Sequence, residues 1–142
     1  MVKIRIAAPS DRKGINQITK EFNRHDYSHA PSYFDQAIAA KKIFVAILAG
    51  KVVGYLTFHV IWGNTPFIEL LRVSEKYQKK GIGRLILAQL EKKLRRQSYS
   101  VLLSSSEEVN EVGNVFHKQM EFRPIGSLKM IYGTENFYKK SL

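Results

Sequence analysis

Between Phe67 and Leu103 the chain reads as an apolar strand, a hydrophilic loop, two closely spaced glycines, a long amphipathic helix and a short second strand. That succession leaves few folds open. Two strands joined through a helix of this length become parallel neighbours, with the helix packed on the sheet they share. The helical stripe is Leu87, Leu90 and Leu94, backed by Ile82, Leu85 and Ile86, and the second strand is Val101 to Leu103.

The rest of the chain arranges itself around this crossover. Val2, Ile4 and Ile6 alternate with Lys3 and Arg5 as a half-buried strand. Pro9-Ser10-Asp11 then opens a helix, with Ser10 as its cap and Ile15, Ile18 and Phe22 as its stripe, although Gly14 weakens it. Ser32 to Lys42 is a second helix with Phe34 and Ile38 inward, followed by strands over 43–48, 52–62 and 67–73. The turns Ala49-Gly50-Lys51 and Gly63-Asn64-Thr65-Pro66 are short enough to make these strands an antiparallel meander. A helix from Asn110 to Met120 and a hairpin around Leu128 to Tyr132 close the chain. The expected fold is α/β in the broad, α+β sense: a mixed, mostly antiparallel sheet of about seven strands flanked by about four helices. No linker or repeat divides it, so residues 1–142 are read as a single domain.

Composition narrows the chemistry. There is no cysteine, which excludes disulfides, thiolate metal sites and a cysteine nucleophile. No apolar run is long enough to span a bilayer, and Met1-Val2-Lys3-Ile4-Arg5 lacks a signal-peptide core, so a cytoplasmic protein with no membrane partner is expected. His25 and His29, with Asp26 between them, have a helical metal-ligand spacing but sit in a loop without a third ligand, so no metal is expected.

The segment Gln78-Lys79-Lys80-Gly81-Ile82-Gly83-Arg84 carries the most chemical information. Backbone N–H groups at a helix start lack internal partners, and glycines let a phosphate approach them closely. The plain alternative is a helix that happens to begin with glycines. A Walker loop is excluded because no Gly-Lys-Ser/Thr follows, and a dinucleotide turn fits poorly because Ile86 stands at its third glycine position.

Gln78-Lys79-Lys80-Gly81-Ile82-Gly83 resembles the Gln/Arg-x-x-Gly-x-Gly/Ala acyl-CoA loop of the GNAT superfamily of N-acetyltransferases. Upstream, Leu71-Arg72-Val73 through Tyr77 resembles that family's fourth strand and following loop. Downstream, Asn110 to Phe122 resembles its Asn-x-x-Ala-x-x-Leu/Phe-Tyr-x-x-x-Gly-Phe segment, with Phe116 at the Leu/Phe position. His117 stands where the family has tyrosine and Glu121 where it has glycine.

The resemblance implies acetyl-CoA as co-substrate and direct attack by a primary amine, without a metal or an acyl-enzyme. It implies that backbone groups of Leu71, Arg72 and Val73 meet the pantetheine and that Gln78, Lys79, Lys80, Gly81, Ile82, Gly83 and Arg84 hold the pyrophosphate, with Asn110 and Phe116 completing the cofactor side. Glu69 is the candidate base, on the same nominal strand face as Phe67, Leu71 and Val73; the alternative is an ordinary strand glutamate in an ion pair. His117 is the candidate proton donor to the departing thiolate, the alternative being that it merely packs there. The acceptor is a small-molecule or peptide amine, and the connection between the first two helices is expected to line its side.

Lys76 to Arg96 contains eight basic residues and one acid, supplying +7 of a formal net charge of +11. Lys92 stands about 14 Å along the helix from Gly83, too far to reach the same pyrophosphate. The second group of basic residues is therefore a solvated helix end or a surface for nucleic acid or the ribosome. A non-catalytic acyl-CoA-binding or RNA-associated module is the second functional reading. The long third strand and the C-terminal hairpin leave edges that a homodimer would pair.

Overall fold

A computed structural model describes residues 1–22, 30 and 32–142. The elements run β1 (Lys3–Ile6), α1 (Arg12–Glu21), α2 (Ser32–Ala39), β2 (Ile43–Leu48), β3 (Lys51–Ile61), β4 (Thr65–Val73), α3 (Ile82–Arg96), β5 (Val101–Glu107), α4 (Glu111–Gln119), β6 (Arg123–Met130) and β7 (Gly133–Ser141). The strands form a seven-stranded, mostly antiparallel sheet in the order β1-β2-β3-β4-β5-β7-β6, with the expected parallel pairing of β4 and β5 registered at Phe67 and Leu103. His25, His29 and the rest of the connection between α1 and α2 expected to line the acceptor side lie outside the described residues, Phe22 and Ala30 excepted. No helix among the described residues is long and apolar enough to cross a membrane.

By contacts the chain divides into two compact units, one of residues 1–58 and 70–90 and the other of residues 59–69 and 91–142. In the first, Ile15 and Ile18 of α1 and Phe34 and Ile38 of α2 pack with Ala7, Ile43, Val45 and Tyr55. Each Ile, Val and Phe among them contributes on the order of 1.5–3 kcal/mol by leaving water. Tyr55 is fully buried, with its hydroxyl 2.9 Å from Thr19 Oγ1 and 3.1 Å from Arg72 Nη1. Gly14, which weakens α1 on propensity, has a packing reason: a Cβ there would lie 2.8 Å from Val52 Cβ, so only glycine lets α1 lie this close to β3.

The entry to α1 differs from expectation. Residues 9–11 form a short 3-10 turn, and the group that satisfies it is the Asp11 carboxylate, which accepts from the Ala8 N–H at 2.7 Å and from Arg5 at 2.7 and 3.0 Å. The Arg5 guanidinium holds Asp11 below the ordinary carboxylate range against the opposing effect of burial. Ser10 makes no side-chain cap bond.

In the second unit β5 runs to Glu107 rather than stopping at Leu103. Leu102, Ser104 and Ser106 all face inward, and inward serines hide a strand from a hydropathy reading. The hairpin also begins earlier than its hydrophobic pattern suggests, with β6 starting at Arg123 and its turn at Ile131 and Tyr132.

Candidate functional site

Within the first unit, the glycine-containing loop 78–84 follows β4 and a short turn. Gln78 Nε2 donates to the Val73 carbonyl at 2.9 Å, folding the loop back onto its strand. The preceding turn, Glu75–Tyr77, is held from outside by Glu21 at the end of α1, whose carboxylate accepts from Ser74 Oγ and from the Glu75 N–H, both at 2.9 Å. Sequence reasoning passes over Glu21 because its partners are more than fifty residues away and no local pattern connects them.

Two residues of the loop then take positive φ. Lys79 has φ +60° and Gly81 φ +80°, on either side of Lys80. At Gly81 a side chain would be strained, yet a Cβ would meet nothing within 4 Å, so the space over the loop is open. Ile82 is buried and pins the start of α3, whereas Arg84 is exposed. Leu85 N–H bonds to the Gly81 carbonyl at 3.1 Å, so by helix geometry the N–H groups of residues 82–84 stand ahead of the internal ladder. Lys76 and Lys80, on the turn and loop that lead to α3, both lie over the Tyr77 ring, at 5.4 and 5.9 Å from its centroid. The loop therefore offers what a pyrophosphate needs: free donors, the positive end of a helix and room for close approach.

Leu71, Arg72 and Val73 form the end of β4 in the same unit. The Arg72 side chain is occupied within the fold, donating to Tyr55 and lying 5.3 Å over the Phe22 ring, so what it offers a co-substrate is backbone. Gly54 of β3 packs so tightly that a Cβ would sit 3.1 Å from the Arg72 carbonyl, which fixes this strand end from behind.

The second unit holds the candidate proton-transfer residues. Glu69 is exposed on β4 and lies 3.0 Å from Nδ1 of His59 on β3. The partner that faces it is thus a histidine, which makes an ion pair only when protonated. The His59 ring lies edge-on to Phe67 at 6.0 Å, and Phe67 packs on Phe137 at 6.1 Å.

His117 is buried. Nδ1 donates to the Gly113 carbonyl at 2.7 Å, and Nε2 faces Ser104 Oγ at 2.8 Å. A carbonyl cannot donate, so Nδ1 carries the proton and Ser104 donates to Nε2. The ring stacks on Tyr138 at 4.3 Å and 6° and meets Phe122 and Phe116 edge-on. Burial pushes the pKa of His117 down against the opposing pull of the Gly113 carbonyl, favouring the neutral ring.

Asn110 caps α4 by accepting the Gly113 N–H at 3.0 Å, while Asn114, absent from the motif reading, accepts from Ser106 and Tyr138 at 2.7 Å each. Among the described residues no three His, Asp or Glu side chains group as metal ligands.

The family model described as acetyltransferase (GNAT) family matches residues 12–122. Among solved structures the chain is similar to Ard1 from Thermoplasma volcanium, at 17% identity and a TM-score of 0.90, covering 99% of this chain and 97% of that one. It is also similar to the ribosomal-protein-alanine N-acetyltransferase from Brucella melitensis, at 21% identity, a TM-score of 0.84 and 99% of each chain. A third likeness is to Arabidopsis thaliana Naa50 in complex with the bisubstrate analogue CoA-Ac-MVNAL, at 17% identity, a TM-score of 0.83 and 99% of each chain. At these identities the likeness is one of fold. No curated protein matches the sequence.

Proposed function

The chain belongs to the GNAT acetyltransferase family, and from that premise we propose that it is a single-domain N-acetyltransferase moving the acetyl group of acetyl-CoA to an amine within a ternary complex. The observation that carries this reading is the loop from Gln78 to Arg84, with positive φ at Lys79 and Gly81, its open space at Gly81 and its approach to the first turn of α3. In this reading residues 78–84 hold the pyrophosphate, and Lys76 and Lys80 add charge over it. Backbone groups of Leu71, Arg72 and Val73 meet the pantetheine, and a β4 N–H polarises the thioester carbonyl, a contribution of roughly 3–4 kcal/mol where such donors have been removed. Asn110 and Phe116 act through α4, the first by capping it and the second by packing beside His117.

Glu69 takes part in removing the amine proton. His117, neutral and bonded at both nitrogens, is assigned a packing role, so the thiolate leaves without a proton from it. A peptide or protein amine is the first acceptor class to try, because one similar structure holds a peptide-CoA analogue and another bears the name of a ribosomal-protein-alanine enzyme.

The test is calorimetric titration with acetyl-CoA, with NAD and ATP as controls, followed by CoA release with the peptide MVNAL and a panel of small amines. Micromolar binding that Gly81→Asp or Gly83→Asp abolishes, together with amine-dependent CoA release, is expected. Binding without release by any amine would favour the non-catalytic module instead, and absence of binding would remove both readings.

A further inference from the structure

We propose that His59 is the general base of the reaction and that Glu69 is its positioning residue, an inference that rests on the acetyltransferase reading above. The two sit on β3 and β4 with Nδ1 of His59 3.0 Å from Oε1 of Glu69, their side chains 47% and 31% exposed. A carboxylate beside Nδ1 fixes the proton on that nitrogen, which leaves Nε2 with a lone pair facing outward. Nε2 has no hydrogen-bond partner among the described residues. Phe67, backed by Phe137, lies edge-on to the imidazole and limits how it can turn. Glu69 stands two residues before Leu71 on the strand proposed to carry the thioester.

Chemistry favours the imidazole over the carboxylate as the base. The Glu69 carboxylate is already engaged by Nδ1 of His59, whereas an imidazole held in this way keeps its other nitrogen, Nε2, as an acceptor for the amine proton. Of the two histidines among the described residues, His117 is buried with both ring nitrogens bonded, which leaves His59 as the one with an available nitrogen.

The protons balance. The acceptor arrives as an ammonium and leaves as an amide, losing two protons. His59 Nε2 takes one and returns it to solvent, and the other ends on the CoA thiolate. The nitrogen–carbon bond forms as the carbon–sulfur bond breaks, and nothing is oxidised or reduced.

The experiment compares wild type with His59→Gln, His59→Thr, Glu69→Gln and the His59→Gln/Glu69→Gln double variant in steady-state acetylation of MVNAL or any amine the wild type accepts. Acetyl-CoA affinity is followed alongside by calorimetry. Both His59 variants are expected to lose roughly tenfold or more in kcat with acetyl-CoA affinity unchanged. Glu69→Gln should lose less, and the double variant should be no slower than His59→Gln, because Glu69 acts through His59. With hydroxylamine, which is already unprotonated at neutral pH, the loss in His59→Gln should shrink. Wild-type rates in both His59 variants would overturn the proposal, as would a further drop on adding Glu69→Gln to His59→Gln, which would make the carboxylate itself the base. A wild type that acetylates no amine would instead remove the acetyltransferase reading on which this one rests.

Discussion

Glu121 follows the C-cap of α4 with φ +68°, a left-handed conformation that costs a residue with a Cβ about 1–2 kcal/mol. The related motif has glycine here, so the departure visible in the sequence is a residue kept at a position whose backbone suits glycine. Glu121→Gly is expected to raise unfolding free energy by about 0.5–1 kcal/mol, after allowing for the greater freedom glycine has when unfolded, and denaturant unfolding checks it. The other departure, His117, is just as visible in sequence, but its surroundings are not. Ser104, Gly113 and Tyr138 reach it from three elements. Because burial lowers its pKa in the folded state, the unfolded chain takes up a proton near pH 6.5 that the folded chain refuses. Its contribution to stability is therefore complete above about pH 6.5 and is lost as pH falls from there towards the folded pKa. Urea midpoints measured from about pH 7 to pH 5 should fall in wild type and fall less in His117→Gln; equal slopes would refute this assignment.

At the scale of elements, Gly14 separates propensity from packing. Gly→Ala inside a helix ordinarily stabilises by up to about 1 kcal/mol. Here the new Cβ would meet Val52 at 2.8 Å, and forcing α1 off β3 costs typically 1–3 kcal/mol. Gly14→Ala should therefore destabilise, and combining it with Val52→Gly, which removes the Cβ it would meet, should cost less in denaturant unfolding than the sum of the two single changes. The cofactor loop teaches the complementary lesson. Gly81 and the helix behind it were legible because a positive φ leaves a mark in residue type. The loop's supports at Glu21 and Tyr77 were not, since a carboxylate accepting from a distant turn and a ring beneath two lysines follow no local pattern. For β5 the alternation was present, but serine at the buried positions concealed it.

For the molecule as a whole, the net charge of +11 acts at long range, favouring a polyanionic co-substrate and opposing strongly cationic acceptors. If spermidine is acetylated at all, its kcat/KM should lie below that of a peptide amine, and the gap should narrow as salt shortens the screening length from about 10 Å at 0.1 M to 3 Å at 1 M. A gap unaffected by salt would assign the preference to local contacts. What the sequence determined by itself was everything written in spacing and residue type: the order of elements, the crossover, the glycine at a positive-φ position before α3 and the two departures in the α4 segment. These are local, set by periodicity and backbone hand within a few residues. Tertiary structure alone decided that His59 meets Glu69, that Glu21 braces the cofactor loop and that His117 is enclosed. Each joins residues brought together only by strand register or helix packing, and a linear pattern carries no record of which distant side chain will fill a given space.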